Sequence, residues 1–419
     1  MMKNKKGDMT PFDMKKRPCR QSPLLMPLVW GASYLLTRPF GLKIKRRDMK
    51  GLKPPFLVIS THQGFTDYYI APLSVFPHRA SYVSDMEGFA AFGDTLYRKI
   101  GCIGKRRFVT DMSVLNNIKY ALYKNKDIVF VFPEARHSNV GTTSLLPDNM
   151  GRLVKALKVP VAVLSVHGSY LISPFWDEEN TRKAPAEAEI KLLYTAEQIA
   201  ELSEGEIQRR LEEELQYDEY KWQYDNKIRI SSPKRAEGLS MPLYRCISCG
   251  RDFSMRDKGS VIYCTHCGEK WEMSEYGQLV NQKSGNVIHI PNWYSIEREK
   301  AEQEAEDDGY CCEFSVRVEA LPNERGFVEL GEGRLIHNKE GFTLDVKGQR
   351  LFFPTRTLPS VQTEYNYKGR GKCVVLSTRD CCYYAYCSED RFNPTKLQFA
   401  AERLYLLQRK KRKTRGLRK

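Results

Sequence analysis

The chain has 419 residues, 41% of them apolar, and a formal net charge of +16. That length implies two or three domains, and the lack of any run of about 18 uninterrupted apolar residues argues against a spanning helix. The basic start, Met1 to Arg20, leads into no secretory core with a small-residue cleavage site, so export is not expected.

The charge sits at the two ends. Residues 1–60 hold 14 Lys/Arg against 3 Asp/Glu, and 409–419 hold 8 basic residues and no acid, which leaves the stretch between them at −3. A polybasic end can hold anionic lipid or nucleic acid, or it can be a solvated tail.

In chain order, the first apolar run is Leu24 to Leu36, broken by Pro27 and Gly31 and flanked by Arg17, Arg20 and Arg38. As a helix it reaches about 20 Å, short of the roughly 30 Å hydrocarbon core. An interfacial segment dipping into one leaflet fits better than a span, with an ordinary buried helix as the other reading. From Pro54 short apolar runs alternate with helical stretches. Strands are expected at 56–60, 80–84, 128–132, 159–164 and 190–194, and helices over Val114–Leu122 and Met150–Leu157. This is an α/β pattern ending near residue 200. A charged helical stretch, 196–224, leads to a linker at Ser231-Ser232-Pro233 and Gly238. After residue 309 the texture turns to β, with apolar segments at 313–319, 333–337, 341–345, 350–353, 373–377 and 382–387. A last helix opens at Asn393-Pro394, a capping residue followed by proline at the first helical position.

The chemistry gathers behind the expected strands. His62 and Asp67 follow the strand 56–60 in His62-Gln63-Gly64-Phe65-Thr66-Asp67. Acyl transfer to an alcohol needs a base for the hydroxyl proton. An imidazole serves, with a carboxylate on its other nitrogen to fix the tautomer. Alone, such a pair also fits a satisfied structural histidine. Phe132-Pro133-Glu134-Ala135-Arg136-His137-Ser138 ends a second strand, placing a cation beside an acid. Gly101-Cys102-Ile103-Gly104-Lys105-Arg106-Arg107 reads as a Gly-bearing loop with three consecutive cations, suited to phosphate. Val159-Pro160-Val161 enters a further strand.

In order and spacing, these four blocks over about Leu28 to Tyr194 resemble the glycerolipid acyltransferases, the family of bacterial 1-acyl-glycerol-3-phosphate acyltransferases. The resemblance implies that His62 is the general base and Asp67 its orienting partner. It implies that Arg107, or Arg106 if the register slips by one, holds the acceptor's phosphate, with Glu134, Arg136 and His137 shaping the acceptor site. The pattern departs at Thr61 for Asn, Gly64 for Ser, Ala135 for Gly, Arg136 for Thr and His137 for Arg. The displaced cation bears on the acceptor and leaves the dyad untouched.

Of twelve cysteines, Cys246-x2-Cys249 and Cys264-x2-Cys267 form two matching pairs. Such pairs close a tetrahedral zinc site in a module too small for its own core; a redox dithiol needs no second pair. His266 is a spare ligand. Without an export signal the cysteines are expected reduced.

The expected fold class is thus α/β: an acyltransferase domain with an N-terminal interfacial helical segment, a four-cysteine zinc ribbon, and a β-rich domain similar to a pleckstrin-homology module by element order. The divisions are 1–50 (basic interfacial segment), 51–200 (acyltransferase), 201–240 (charged helical linker), 241–275 (zinc ribbon), 276–309 (charged helical connector), 310–408 (β-rich domain with C-terminal helix) and 409–419 (basic tail). The β-rich domain reads equally as lipid binder or scaffold. The implied activity joins an acyl group from acyl-CoA or acyl carrier protein to a lysophospholipid acceptor. It is expected at the cytoplasmic face of an anionic membrane, with structural zinc and no metal needed for chemistry. The rivals are a catalytically inactive lipid-binding adaptor on the same fold, disfavoured by the intact His62/Asp67 pair, and a nucleic-acid-binding zinc protein, disfavoured by the lack of interleaved basic and aromatic residues in the ribbon.

Overall fold

The computed structural model describes residues 8–177 and 181–416. The first seven residues of the basic N-terminal segment and the last three of the basic tail lie outside the described residues.

The first unit is a seven-stranded sheet of β1 (Lys43–Arg47), β2 (Leu57–Ser60), β3 (Ala80–Asp85), β4 (Cys102–Lys105), β5 (Ile128–Val131), β6 (Val161–His167) and β7 (Glu187–Tyr194), in the order β1-β7-β6-β2-β5-β3-β4. β6, β2, β5, β3 and β4 run parallel, and β7 turns antiparallel beside β6. β2 and β5 are covered on both faces, so they read as unbroken apolar runs. Phe56 and Val58 enter one core, and Leu57 and Ile59 the other. The helix Met112–Tyr123 begins on Asp111, whose carboxylate accepts from Ser113 N, and Met150–Leu157 forms where its periodicity predicts.

Two strands were hidden in polar sequence. Residues 102–105 form β4 instead of the expected loop, because Tyr82 to Asp85 pair in register with Cys102 to Lys105. β1 is the charged run KIKRR, held by parallel pairing with β7. The 201–240 stretch carries no free linker character at its start. Helices Ala196–Glu201 and Glu204–Glu214 open on capping boxes, Thr195/Gln198 and Ser203/Glu206. Together with Glu219–Asp225 they bury Ile199, Ile207, Leu211 and Tyr220 on the first unit.

The second sheet joins β8 (Met255–Lys258), β9 (Val261–Cys264), β10 (Lys270–Met273), β11 (Gln278–Asn281) and β12 (Val287–His289) in an antiparallel meander. It runs past the expected limit of 275, and the charged helix after it starts at Ile290 and ends at Glu306. The third unit is an antiparallel sheet of β13 (Cys311–Leu321), β14 (Val328–Asn338), β15 (Gly341–Val346), β16 (Gln349–Pro354), β17 (Gln362–Glu364), β18 (Cys373–Ser377) and β19 (Cys382–Tyr386). Its order is β16-β15-β14-β13-β19-β18-β17, with the long β13 bridging both halves. The helix Pro394–Gly416 packs Leu397 and Ala401 into its core and runs on into the basic tail.

The units share their interiors. One core passes from Phe130 through Tyr220 to Trp271 and Trp293 of the second unit, and the other from Ile103 to Leu321, Phe327 and Tyr384 of the third. All twelve cysteines are free thiols. The helix Met26–Thr37 buries Met26, Ser33 and Thr37 but leaves Leu28 (67%) and Leu35 (63%) exposed, as is Leu24 (83%) just before it. Among the described residues no helix is long and apolar enough to cross a membrane.

Candidate active site

The site lies beyond the C-terminal ends of β2, β3, β4 and β5, where parallel strands release their loops toward a common crevice. His62 stands two residues past β2. Asp67 is the first residue of the helix Asp67–Ser74, and the tight turn between them brings His62 Nδ1 within 3.2 Å of Asp67 Oδ2. The same oxygen accepts the backbone N–H of Gln63 at 2.6 Å and of Gly64 at 3.1 Å. Three donors on one carboxylate oxygen fix the imidazole by Nδ1 and leave Nε2 outside this network.

A second tier of partners, distant in sequence, fixes this turn. Glu134 Oε1 accepts from His62 N at 3.0 Å, while Oε2 accepts from Ser144 N at 2.7 Å and Tyr217 Oη at 3.0 Å. Burial pushes the Glu134 carboxyl up to about 7, against the pull of those donors. Gln63 Nε2 donates to Val166 O and to Glu219 Oε1, and Glu219 in turn accepts from Gly168 N and faces His167 Nδ1 at 2.8 Å. Ala135 takes φ +57°, a left-handed conformation in which glycine carries no penalty, so the Ala-for-Gly departure has a backbone cost. At Gly64, a Cβ would come 3.1 Å from Ser169 O, so a larger residue there presses on the neighbouring turn.

The expected acceptor residues divide. Arg107 lines the same cavity as His62, about 40 Å³ in volume, with Tyr68, Asp85, Lys105, Phe132 and Ala135. His137 stacks edge-on to His62 with ring centroids 4.5 Å apart. Burial first, then the charges of His62 and Arg107, hold its pKa well below the ordinary histidine value. Arg106 and Arg136 point elsewhere. Arg106 donates to Pro322 O, Arg379 O and Asp380 O of the third unit. Arg136 reaches Ser360 Oγ and pairs at 2.6 Å with Glu402, whose other oxygen meets Arg298 at 2.7 Å. Burial works against ionisation of Glu402, but the two guanidinium groups outweigh it and hold its pKa at about 2. In place of a loop for phosphate, β4 thus sends Arg107 into the site and Arg106 into a neighbouring domain, as successive residues of an extended chain do.

Arg107 is already surrounded by acids. It pairs closely with Asp85 and lies 3.7 Å from Glu87 and 3.8 Å from Glu364 of β17. Tyr367 and Tyr384 of the third unit donate to Glu87 at 2.8 Å. Glu364, Tyr217 and Glu219 were invisible to sequence reasoning, since each meets the site from a remote element. The aromatic cluster at 217–222 was the one signal near any of them.

The cysteine cluster is a separate candidate centre. The four Sγ atoms of Cys246, Cys249, Cys264 and Cys267 lie within 4.8 Å of one another, with Cys246–Cys267 at 3.7 Å and Cys249–Cys264 at 3.8 Å. Tetrahedral zinc with Zn–S bonds of about 2.3 Å demands S···S edges of about 3.8 Å, so the donor set fits.

No curated protein matches the chain. Among solved structures, the crystal structure of the 1-acyl-sn-glycerophosphate (LPA) acyltransferase PlsC from Thermotoga maritima is similar at 18% identity and a TM-score of 0.37, over 45% of this chain and 76% of that one. Residues 41–167 match the family model described as Acyltransferase, a span that includes His62, Asp67, Arg107 and Glu134. That span is an acyltransferase-type stretch within a mixed α/β domain, with further β-rich regions behind it.

Proposed function

We propose that the protein transfers a fatty acyl group from an acyl thioester, acyl-CoA or acyl carrier protein, to the hydroxyl of a lysophosphatidate-like acceptor at a membrane surface. The observation that carries this reading is the His62 Nδ1–Asp67 Oδ2 contact inside the acyltransferase span. His62 Nε2 takes the acceptor's hydroxyl proton as that oxygen attacks the thioester carbonyl. The C–S bond then breaks, and the imidazolium returns the proton to the departing thiolate. Asp67 keeps the tautomer and steadies the imidazolium. Arg107 is the proposed ligand of the acceptor's phosphate, His137 a neutral wall beside it, and Glu134 the brace that holds the His62 turn.

Membrane contact falls to the helix Met26–Thr37, whose exposed leucines stand among the basic residues of the N-terminal segment. The four cysteines hold a structural zinc that closes the small second sheet. The third unit, two β halves bridged by β13 and capped by a C-terminal helix, is read as a pleckstrin-homology-like domain.

The test is to incubate purified protein with lysophosphatidate and other acceptors plus either donor, and to identify products by mass spectrometry. Esterified product that disappears in His62→Ala is expected. Product that persists unchanged in that variant rejects the mechanism, and no product from any pairing rejects the activity. Metal analysis showing one zinc per chain, lost in Cys246→Ser/Cys249→Ser, tests the ribbon.

A further inference from the structure

The opposite edge of the parallel sheet carries a second cavity that the acyl-transfer reading does not use. It has a volume of about 440 Å³ and is lined by Arg20, His78, Arg79, Lys126, Met26 and Trp30, with prolines between them. Its cations come from the segments that enter the sheet: Arg79 directly precedes β3, and Lys126 stands two residues before β5. Asp127, buried behind Lys126, lies 3.4 Å from Arg20 and accepts from Ser81 Oγ. Arg79 and Lys126 make no ion pair among the described residues. The cavity therefore holds more positive than negative charge, with Asp127, whose field reaches Arg20 and Arg79, as the acid behind it.

The lip of the cavity is apolar. Trp30 packs edge-on against Phe76 at 4.8 Å, and Phe76 is itself exposed. Leu24 and Leu28 project from the same helix end. A cationic hollow beneath an exposed apolar lip matches an amphiphile with an anionic head, and a free polyanion has no use for the leucines. The helix Met26–Thr37 then runs beside Asp67–Ser74, toward the edge where Phe40 O accepts Ala186 N and β7 begins opposite His167. At 12 residues it is about 18 Å long, enough to join the two edges.

We propose that this cavity binds the phosphate-bearing head group of an anionic phospholipid in the bilayer, fixing the helix Met26–Thr37 in the interface with the catalytic edge at its far end. The proposal rests on the reading that the enzyme works at a membrane, and it supplies the lipid class that reading leaves open.

The test uses the full chain in co-sedimentation with phosphatidylcholine vesicles and with vesicles enriched in phosphatidylglycerol. Arg79→Ala/Lys126→Ala is compared with Lys258→Ala/Lys270→Ala, which removes the same charge from the second sheet. The cavity variant is expected to lose about tenfold or more in affinity for the anionic vesicles, and the control roughly twofold or less. Arg79→Gln/Lys126→Gln repeats the test if the alanine pair lowers the melting temperature. Equal losses in cavity variant and control, or no loss in the cavity variant, overturn the proposal while leaving membrane binding intact. Competition by inorganic phosphate as strong as by vesicles, or binding to RNA with none to vesicles, also overturns it. If no vesicle binds the parent protein, the membrane reading falls with it, whereas turnover of a soluble acceptor is scored separately.

Discussion

The two edges of one parallel sheet are built by the same strands and treat charge in opposite ways. At the C-terminal edge Arg107 meets three carboxylates, the cavity at His62 is about 40 Å³, and β17 and β19 of the third unit close over it. At the N-terminal edge Arg79 and Lys126 form no ion pair among the described residues, around a cavity of about 440 Å³. Enclosure makes the difference. An unpaired charge in water costs little, whereas one shut between two domains needs a counter-charge. The His62 edge is thus a place where the arginine is matched by acids, while the half-buried Lys105 beside it has no ion pair among the described residues and burial lowers its pKa. The opposite edge is a place where charges are left for a ligand.

The sharpest break comes from His62→Ala, expected to lower turnover by about a hundred- to ten-thousandfold with the fold unchanged, measured by product formation and circular dichroism. Asp67→Asn should cost less, because the base remains and its orientation suffers. Next, Glu402→Ala strands the buried Arg136 and should destabilise the folded chain by about 3–5 kcal/mol in denaturant unfolding. A loss no larger than an exposed pair gives would erase the contrast between the edges.

The third prediction concerns pH. Glu134 titrates at about 7 in the folded chain against 4.5 ordinarily. Between those values the folded chain keeps a proton that the unfolded chain has released, so stability is full below pH 4.5 and falls as pH rises toward 7. The slope reaches at most about 1.4 kcal/mol per unit. Glu134→Gln should flatten unfolding curves over this window, and an unchanged slope places the titrating group elsewhere. Smaller still, Ala135→Gly relieves the left-handed backbone and should stabilise by about 1 kcal/mol. Last, Glu364→Gln makes the closed edge resemble the open one, and the KM for a phosphate-bearing acceptor should fall by roughly two- to fivefold. A KM that rises instead means that Glu364 positions Arg107 rather than competing for it.

What the sequence made legible follows the same line. β2 and β5, buried on both faces, and the periodic helix Met150–Leu157 announce themselves through their own residues. β1 and β4 do not: KIKRR has a single apolar residue, Ile44, and the glycines and cations of 101–107 imitate a loop. Both are edge strands whose extended state is imposed by a neighbour's hydrogen bonds. The dyad was readable because its members stand only five positions apart. The positions of Arg106 and Arg136 were not, since their partners lie 216 to 274 residues away, and spacing says nothing about which of two adjacent arginines faces a cavity.

The Arg136–Glu402 pair also orders events in time. A chain made from its N-terminus presents Arg106 and Arg136 to their surroundings long before Pro322, Asp380 and Glu402 exist. The 266 residues from Arg136 on to Glu402 take roughly tens of seconds to synthesise. Until then the first sheet can gather its own core, but two cations destined for burial have nowhere to go. The last turn of a long contact map is closed by the last helix of the chain. A chain cut after the first unit would therefore carry the His62–Asp67 pair complete and its interior charge unbalanced.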